Sequence, residues 1–362
     1  MIDQSFLKIK RKELCKNCLK PEKYYGPFKD GLCSTCRGED IWGQTLTESE
    51  KNELSKLTDE LLINASKKGI PIAIGLSGGK DSTYLVKRII QKFDELGIQN
   101  KIICITVRIP TESKNLVPNI NNFKKIVKEL NLPVEFYEIR PSFDMYKFYL
   151  DIILTDKIII DIQRTYDTCN LCSDLLESLV IKKAIELGSN LIFFGLSPDE
   201  SNRFIGKIPD EKLSHNWFPE ILNDVLDPKV KDDFYSPKWG TVKVLFPFHY
   251  WDYDENAARN ESKQYIKESD PFKTNCSMVF LNMVLDLYTV GKMGYIESYS
   301  HLVRTGAMSK SDGITYLNTF LSLIKNRQSF IWTEHINPIL EKFNLSFEDL
   351  VDKRKKIIDS IS

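Results

Sequence analysis

Ser77-Gly78-Gly79-Lys80-Asp81-Ser82 carries more chemistry than any other stretch of this 362-residue chain. Two adjacent glycines permit a sharp turn and bring bare N–H groups close to an anion, and a helix starting there aims the positive end of its dipole at the same spot. The Lys80 ammonium and the hydroxyls of Ser77 and Ser82 add charge and hydrogen bonds for phosphate oxygens. Asp81 is out of place beside a phosphate unless a cation stands between them, which implies Mg²⁺. The G-x-x-x-x-G-K-S/T spacing of the common nucleotide loop is absent.

The cysteines form two further groups. Cys15-x-x-Cys18 and Cys33-x-x-Cys36, set among Gly, Lys and Pro turn residues, have the spacing that wraps four thiolates round structural Zn²⁺; reduced thiols without metal are the plain alternative. Cys169-x-x-Cys172 and the distant Cys276 suit an iron–sulfur cluster with one iron left open. A zinc site completed by a residue such as His249, or buried unliganded cysteines, would use the same three positions. Cys104, inside Ile102-Ile103-Cys104-Ile105, reads as core.

Alternating elements must position these groups. A helix over Glu48–Ala65 leads into a strand at Ile72–Leu76. Then follow a helix from Thr83 to Leu96, a strand at Ile102–Val107, a helix at Ile120–Leu130, a strand at Val134–Ile139, a helix at Leu175–Leu187, and strands at Leu191–Phe194 and Val242–Phe246. Phe123, Ile126, Val127 and Leu130 predict one buried helix face. The alternation predicts an α/β fold with a doubly wound, mostly parallel sheet, whose ligands sit at the carboxyl ends of strands, where Gly195 would join the loop. Residues 1–45 lack an apolar period and need a metal to order them; 46–270 form the nucleotide-binding domain; 271–362 read as a small helical region. The Pro-punctuated span from about 202 to 242 reads as a lid.

SGGKDS in this strand-loop-helix setting resembles the PP-loop of the ATP pyrophosphatase superfamily (HUP-like fold), whose members cleave ATP between the α- and β-phosphates. Cys169-Asn170-Leu171-Cys172-Ser173, Gly195 after a strand, and Leu245-Phe246-Pro247-Phe248 with Glu255, Tyr265 and Cys276 are similar to the tRNA 2-thiolation branch. That resemblance implies a 4Fe-4S cluster on Cys169, Cys172 and Cys276. The branch's basic pair after C-x-x-C is here Ser173-Asp174, and its Gly-His pair is Gly195-Leu196. A second resemblance covers both chain ends. Cys15-Lys16-Asn17-Cys18-Leu19-Lys20-Pro21, Asp30-Gly31-Leu32-Cys33-Ser34-Thr35-Cys36 and His301-Leu302-Val303-Arg304-Thr305-Gly306-Ala307-Met308-Ser309 are similar to N-acetyl sugar amidotransferases of surface-polysaccharide synthesis. Those enzymes take ammonia from a glutaminase partner.

The resemblances imply transfer of AMP from ATP to a carbonyl-type oxygen, with Lys80 and Asp81 as catalytic residues and Ser77, Gly78, Gly79, Ser82 and Gly195 binding ATP. Arg203 or Arg304 could help hold pyrophosphate; as surface arginines they would do nothing. Sulfur displacing AMP is the first expectation, ammonia on an N-acetyl sugar the second, and a non-catalytic zinc-ribbon adaptor the third. Ser197-Pro198-Asp199-Glu200-Ser201 reads as a Mg²⁺ or adenosine contact or as a plain turn, His215 as a structural residue or a substrate contact, and Trp251-Asp252-Tyr253-Asp254-Glu255 equally as a helix start capped by Asp252 or Asp254. Lys and Arg number 50, as do Asp and Glu, so the net charge of zero favours a small-molecule or nucleobase acceptor over tRNA. No run reaches about 18 apolar residues and no signal-peptide core opens the chain, so a cytoplasmic protein off the membrane is expected. A sulfur donor or a glutaminase would be its partner protein.

Overall fold

The computed structural model describes residues 13–39, 46–112, 114, 116–155, 167–198, 242–266, 276–291 and 296–361. In chain order the elements are α1 (Glu22–Tyr25), α2 (Glu48–Lys67), β1 (Ile72–Gly75), α3 (Lys80–Leu96), β2 (Ile102–Val107), α4 (Leu116–Glu129), β3 (Val134–Ile139), α5 (Phe143–Thr155) and α6 (Asp167–Glu186). They continue with β4 (Leu191–Phe194), β5 (Lys243–Leu245), α7 (Glu255–Ser262), α8 (Met278–Thr289), α9 (Ile296–Arg304), α10 (Lys310–Lys325), α11 (Asn337–Phe343) and α12 (Phe347–Ile361). Two compact units result. One falls within Leu46–Tyr146 and Leu171–Asn275, the other within Met1–Thr45, Lys147–Asn170 and Cys276–Ser362.

The first unit is the α/β domain. Its five strands are all parallel in the order β3-β2-β1-β4-β5, with Ile74 opposite Cys104 on one side and Phe193 on the other. The chain runs outward from β1 to β3, then returns to β4 on the far side of β1. With right-handed crossovers this reversal winds helices onto both faces and opens a crevice between β1 and β4 at their carboxyl ends. Near-continuous burial of β1, β2 and β4 agrees with cover on both faces, and the half-exposed β3 is one of the two edges, β5 being the other. α2 is started by a capping box: Glu50 N–H donates to Thr47 Oγ1 at 3.3 Å and Thr47 N–H to Glu50 Oε2 at 2.7 Å.

Two expected features of this unit are corrected. α4 begins at Leu116 and ends at Glu129, so its buried face is Leu116, Ile120, Phe123 and Val127, while Leu130 is 59% exposed. The chain leaves the helix there and turns at Asn131, whose φ of 48° is left-handed. α3 starts at Lys80, three residues before the apolar period begins, because its first turn faces the loop.

The second unit gathers α8 to α12 and the cysteine-rich N-terminal segment. Phe280 to Leu287 of α8 are all buried, and its Asp286 receives a 2.9 Å hydrogen bond from the equally buried Arg354 of α12. Ile331–Ile336 is π-helical. Pro338 follows at the start of α11 and has no N–H for an ordinary helical bond, which accounts for the widened turn.

Candidate functional site

The loop leaves β1 at the point where the sheet order reverses. Leu76 N–H is still bonded to Ile105 O at 2.8 Å; Gly78 then turns at φ 70°, where a Cβ would also meet Ile120 Cγ1 at 2.9 Å. Both facts demand glycine. Gly79 is the N-cap of α3 and supplies no side-chain cap, so the first N–H groups of the helix face the loop without one. Ser77 and Ser82 are joined hydroxyl to hydroxyl at 3.1 Å, and Thr83 Oγ1 donates to Gly79 O at 2.8 Å, which ties the loop to its own helix. Gly195, just beyond β4, lies against this turn: a Cβ there would be 2.8 Å from Asp81 O. The loop and Gly195 are thus brought together at the crevice.

A charged cluster closes over Lys80. Its Nζ is 2.6 Å from Asp81 Oδ2, 3.0 Å from Glu255 Oε2 and 3.2 Å from the Tyr253 hydroxyl. That hydroxyl shares its single hydrogen between Glu255 Oε2, at 2.7 Å, and Asp81 Oδ1. Arg259, one turn on, pairs with the other Glu255 oxygen. Burial raises the pKa of Asp81 despite the opposing pull of Lys80. At Glu255 burial pushes the same way, but Lys80, the Tyr253 hydroxyl and Arg259 outweigh it and hold the carboxyl below its ordinary range. Burial also raises Tyr253, reinforced by the charges of Asp81 and Glu255, so it stays a protonated donor.

Sequence reading took Trp251 to Glu255 as a helix start, and Asp254 is indeed the cap, accepting from Asn256 N–H at 2.8 Å and Ala257 N–H at 3.3 Å. It missed that Tyr253 and Glu255, on either side of the cap, reach the loop. The available signal was the pairing of α7 with α3, visible as small residues such as Ala258, which is fully buried. Tyr253 is held by its ring, 4.8 Å from that of Phe248 and edge-on to Tyr84 at 6.5 Å.

The remaining candidates are distributed as follows. Cys104 is buried in β2, and burial alone raises its thiol pKa. Cys172 is buried in α6 with its sulfur 4.0 Å from the Tyr146 hydroxyl, which in turn bonds Thr111 at 2.8 Å. Cys276 is half-buried before α8. The Cys169 side chain lies outside the described residues, as do Arg203, His215, Asp199 to Ser201 and the proposed lid up to residue 241. His249 joins no group of possible metal ligands among the described residues. Arg304 closes α9, in the second unit, and Ser197 is buried.

The other four cysteines converge. The sulfurs of Cys15, Cys18, Cys33 and Cys36 all lie within 4.8 Å of one another, and Cys18 and Cys33 are 3.6 Å apart. Tetrahedral zinc with Zn–S near 2.3 Å separates its sulfurs by about 3.8 Å, so the donor set fits that ion. Cys33 N–H donates to Cys15 Sγ at 3.4 Å, as a metal-bound thiolate would accept. The knuckle is docked on helices of its own unit. Lys20, 1% exposed, bonds Thr35 and pairs with the buried Glu297 of α9. Leu19 N–H donates to Ser300 Oγ at 3.3 Å, its side chain fills the space a Cβ on Gly313 would take, and Lys310 donates to the carbonyls of Cys15 and Lys16.

No protein-family model and no curated protein matches the chain. Among solved structures, it is similar to the U34-tRNA thiolase NcsA from Methanococcus maripaludis with its 4Fe-4S cluster. Identity is 16%, coverage 86% of this chain and 88% of that one, and the TM-score 0.35. NAD+ synthetase from Burkholderia pseudomallei is 10% identical over 64% of this chain and 94% of that one, with a TM-score of 0.28. At such distances the chemistry has to be read from this chain's own residues. No described helix is long and apolar enough to cross a membrane.

Proposed function

We propose that this protein is an AMP-forming, ATP-dependent transferase that adenylates a carbonyl-type oxygen and then replaces it. The observation that carries the reading is the Gly78-Gly79 turn with Lys80, Asp81 and Ser82 at the start of α3, pressed against Gly195 where the sheet order reverses. The substrate oxygen attacks the α-phosphorus, the α–β phosphoanhydride bond breaks, and pyrophosphate leaves. The new carbon–O–AMP linkage turns a poor leaving group into a good one, and a nucleophile displaces AMP with the oxygen on it. Loop N–H groups, the Ser77 and Ser82 hydroxyls and Lys80 are suited to hold the polyphosphate in line and to balance the charge that builds on the leaving pyrophosphate. Asp81 would hold Mg²⁺, which neutralises phosphate oxygens when bound.

Two nucleophiles each have support. Sulfur is favoured by the pattern of Cys169, Cys172 and Cys276, which would ligate a 4Fe-4S cluster able to carry it. Ammonia on an N-acetyl sugar is favoured by a different observation: the knuckle that carries one part of the second resemblance docks on Glu297, Ser300 and Lys310, which flank the His301–Ser309 segment that carries the other. In both readings Cys15, Cys18, Cys33 and Cys36 hold structural Zn²⁺.

Pyrophosphate release with Mg-ATP and candidate acceptors tests the shared step; no acceptor-dependent release would refute it, and activity surviving in Asp81→Asn would refute the role given to Asp81. Iron and sulfide analysis of anaerobically purified protein separates the nucleophiles. Iron near four per chain, with Cys172→Ser inactive but folded, supports sulfur. Zinc alone, with Cys172→Ser active, removes it and leaves ammonia.

A further inference from the structure

An ammonium has three hydrogens, and three oxygens surround that of Lys80: Asp81 Oδ2 at 2.6 Å, Glu255 Oε2 at 3.0 Å and the Tyr253 hydroxyl at 3.2 Å. Asp81 is its chain neighbour and belongs to the loop, but Glu255 and Tyr253 come from the far side, at the start of α7. Both are held firmly. Glu255 is fixed by Arg259 and by its place in the first turn of a helix capped by Asp254; Tyr253 is fixed by the rings of Phe248 and Tyr84. A phosphate can gain a hydrogen bond from Lys80 only by taking one of these three partners' places.

We propose that Glu255 and Tyr253 are positioning residues that latch Lys80 in the nucleotide-free protein, so that polyphosphate binds by drawing the ammonium off this pair and the latch sets the affinity of the site. The inference rests on the reading of the loop as an ATP site. It gives α7 a role beyond packing: the helix sets how readily the loop's one flexible cation becomes available.

The test is the dissociation constant of Mg-ATP for the full chain, measured by calorimetry, with thermal melting of each variant as a check of folding. Glu255→Gln keeps the shape and removes the ion pair, and should bind about tenfold tighter; Tyr253→Phe keeps every charge and should bind about threefold tighter. Glu255→Asp, which restores the pair, should return toward the wild-type value. A double-mutant cycle supplies a readout that a merely structural role would not move. If Glu255 acts through Lys80, Glu255→Gln changes nothing further in a Lys80→Met background. A gain that persists there comes from removing a carboxylate's field and overturns the latch, as do folded Glu255→Gln and Tyr253→Phe proteins that bind like wild type or more weakly. Wild-type protein that fails to bind Mg-ATP at all refutes the nucleotide-site reading itself, and the latch with it.

Discussion

Replacing Gly195 by alanine asks whether the turn after β4 is part of the nucleotide site. The added methyl would lie 2.8 Å from Asp81 O, 3.0 Å from Asp81 C and 3.0 Å from Ser82 Cα, up to about 0.6 Å inside the 3.4 Å at which ordinary contact begins. The atoms it meets are backbone atoms in the first turn of α3, so no side chain can swing aside. Either α3 or the β4 turn must move. Overpacking of this kind costs about 1–3 kcal/mol, small enough for a domain of this size to stay folded. Catalysis is far more sensitive: a misplacement of about 1 Å can cost about 100-fold, so a shift of roughly half that should cost between about tenfold and 100-fold in kcat/KM for pyrophosphate release. The assay is pyrophosphate release with Mg-ATP and acceptor, alongside a melting curve. A Gly195→Ala protein that melts like wild type and releases pyrophosphate within threefold of its kcat/KM would refute the idea that the two strand ends build one site.

Other expectations follow from the second unit and its knuckle. Lys20→Met removes the ammonium paired with the buried Glu297 carboxylate and should destabilise this unit by about 3–5 kcal/mol in denaturant unfolding, whereas Lys20→Met with Glu297→Leu should recover much of the loss. Chelation at the four thiols should lower the melting temperature of the helical unit and release about one zinc per chain by elemental analysis, because knuckle and helices are joined by buried contacts; unchanged melting after complete metal loss would contradict this. Burial, with Arg304 adding to it, pushes the pKa of His301 down to about 4 from 6.5. The folded state therefore binds fewer protons than the unfolded one, so stability is full above pH 6.5, falls as the pH drops toward 4 and levels off below. His301→Gln should flatten that part of the stability-against-pH curve, and an unchanged slope would show that other groups set it.

Much of the α/β unit could be read directly. β2, β3 and β4 have the expected ends: β2 and β4 are almost wholly apolar runs, as in Ile102 to Val107, and β3 places Glu135 and Glu138 among β-favouring residues, the mixed pattern of a half-exposed strand. The SGGKDS turn was equally legible, since a left-handed glycine beside a capless helix start is a demand made by adjacent residues. α5 escaped notice: Phe143 to Thr155 is mostly apolar, and Asp144, Lys147 and Asp151 leave only a narrow polar stripe on it. The start of α3 was placed late for a related reason, as Lys80 to Ser82 serve the loop and break the apolar period.

What the sequence alone determined about this protein is therefore local: which backbone must bend, which thiols are spaced for a metal, which strands lie inside. The tertiary structure decided the pairings. Tyr253 and Glu255 close over Lys80 across more than 170 residues, and Lys20, outwardly one more charged turn residue, became the buried anchor of the knuckle through Glu297. Short-range signals follow from covalent geometry and solvation of neighbouring residues, whereas the choice of a distant partner for a buried charge depends on how whole elements pack.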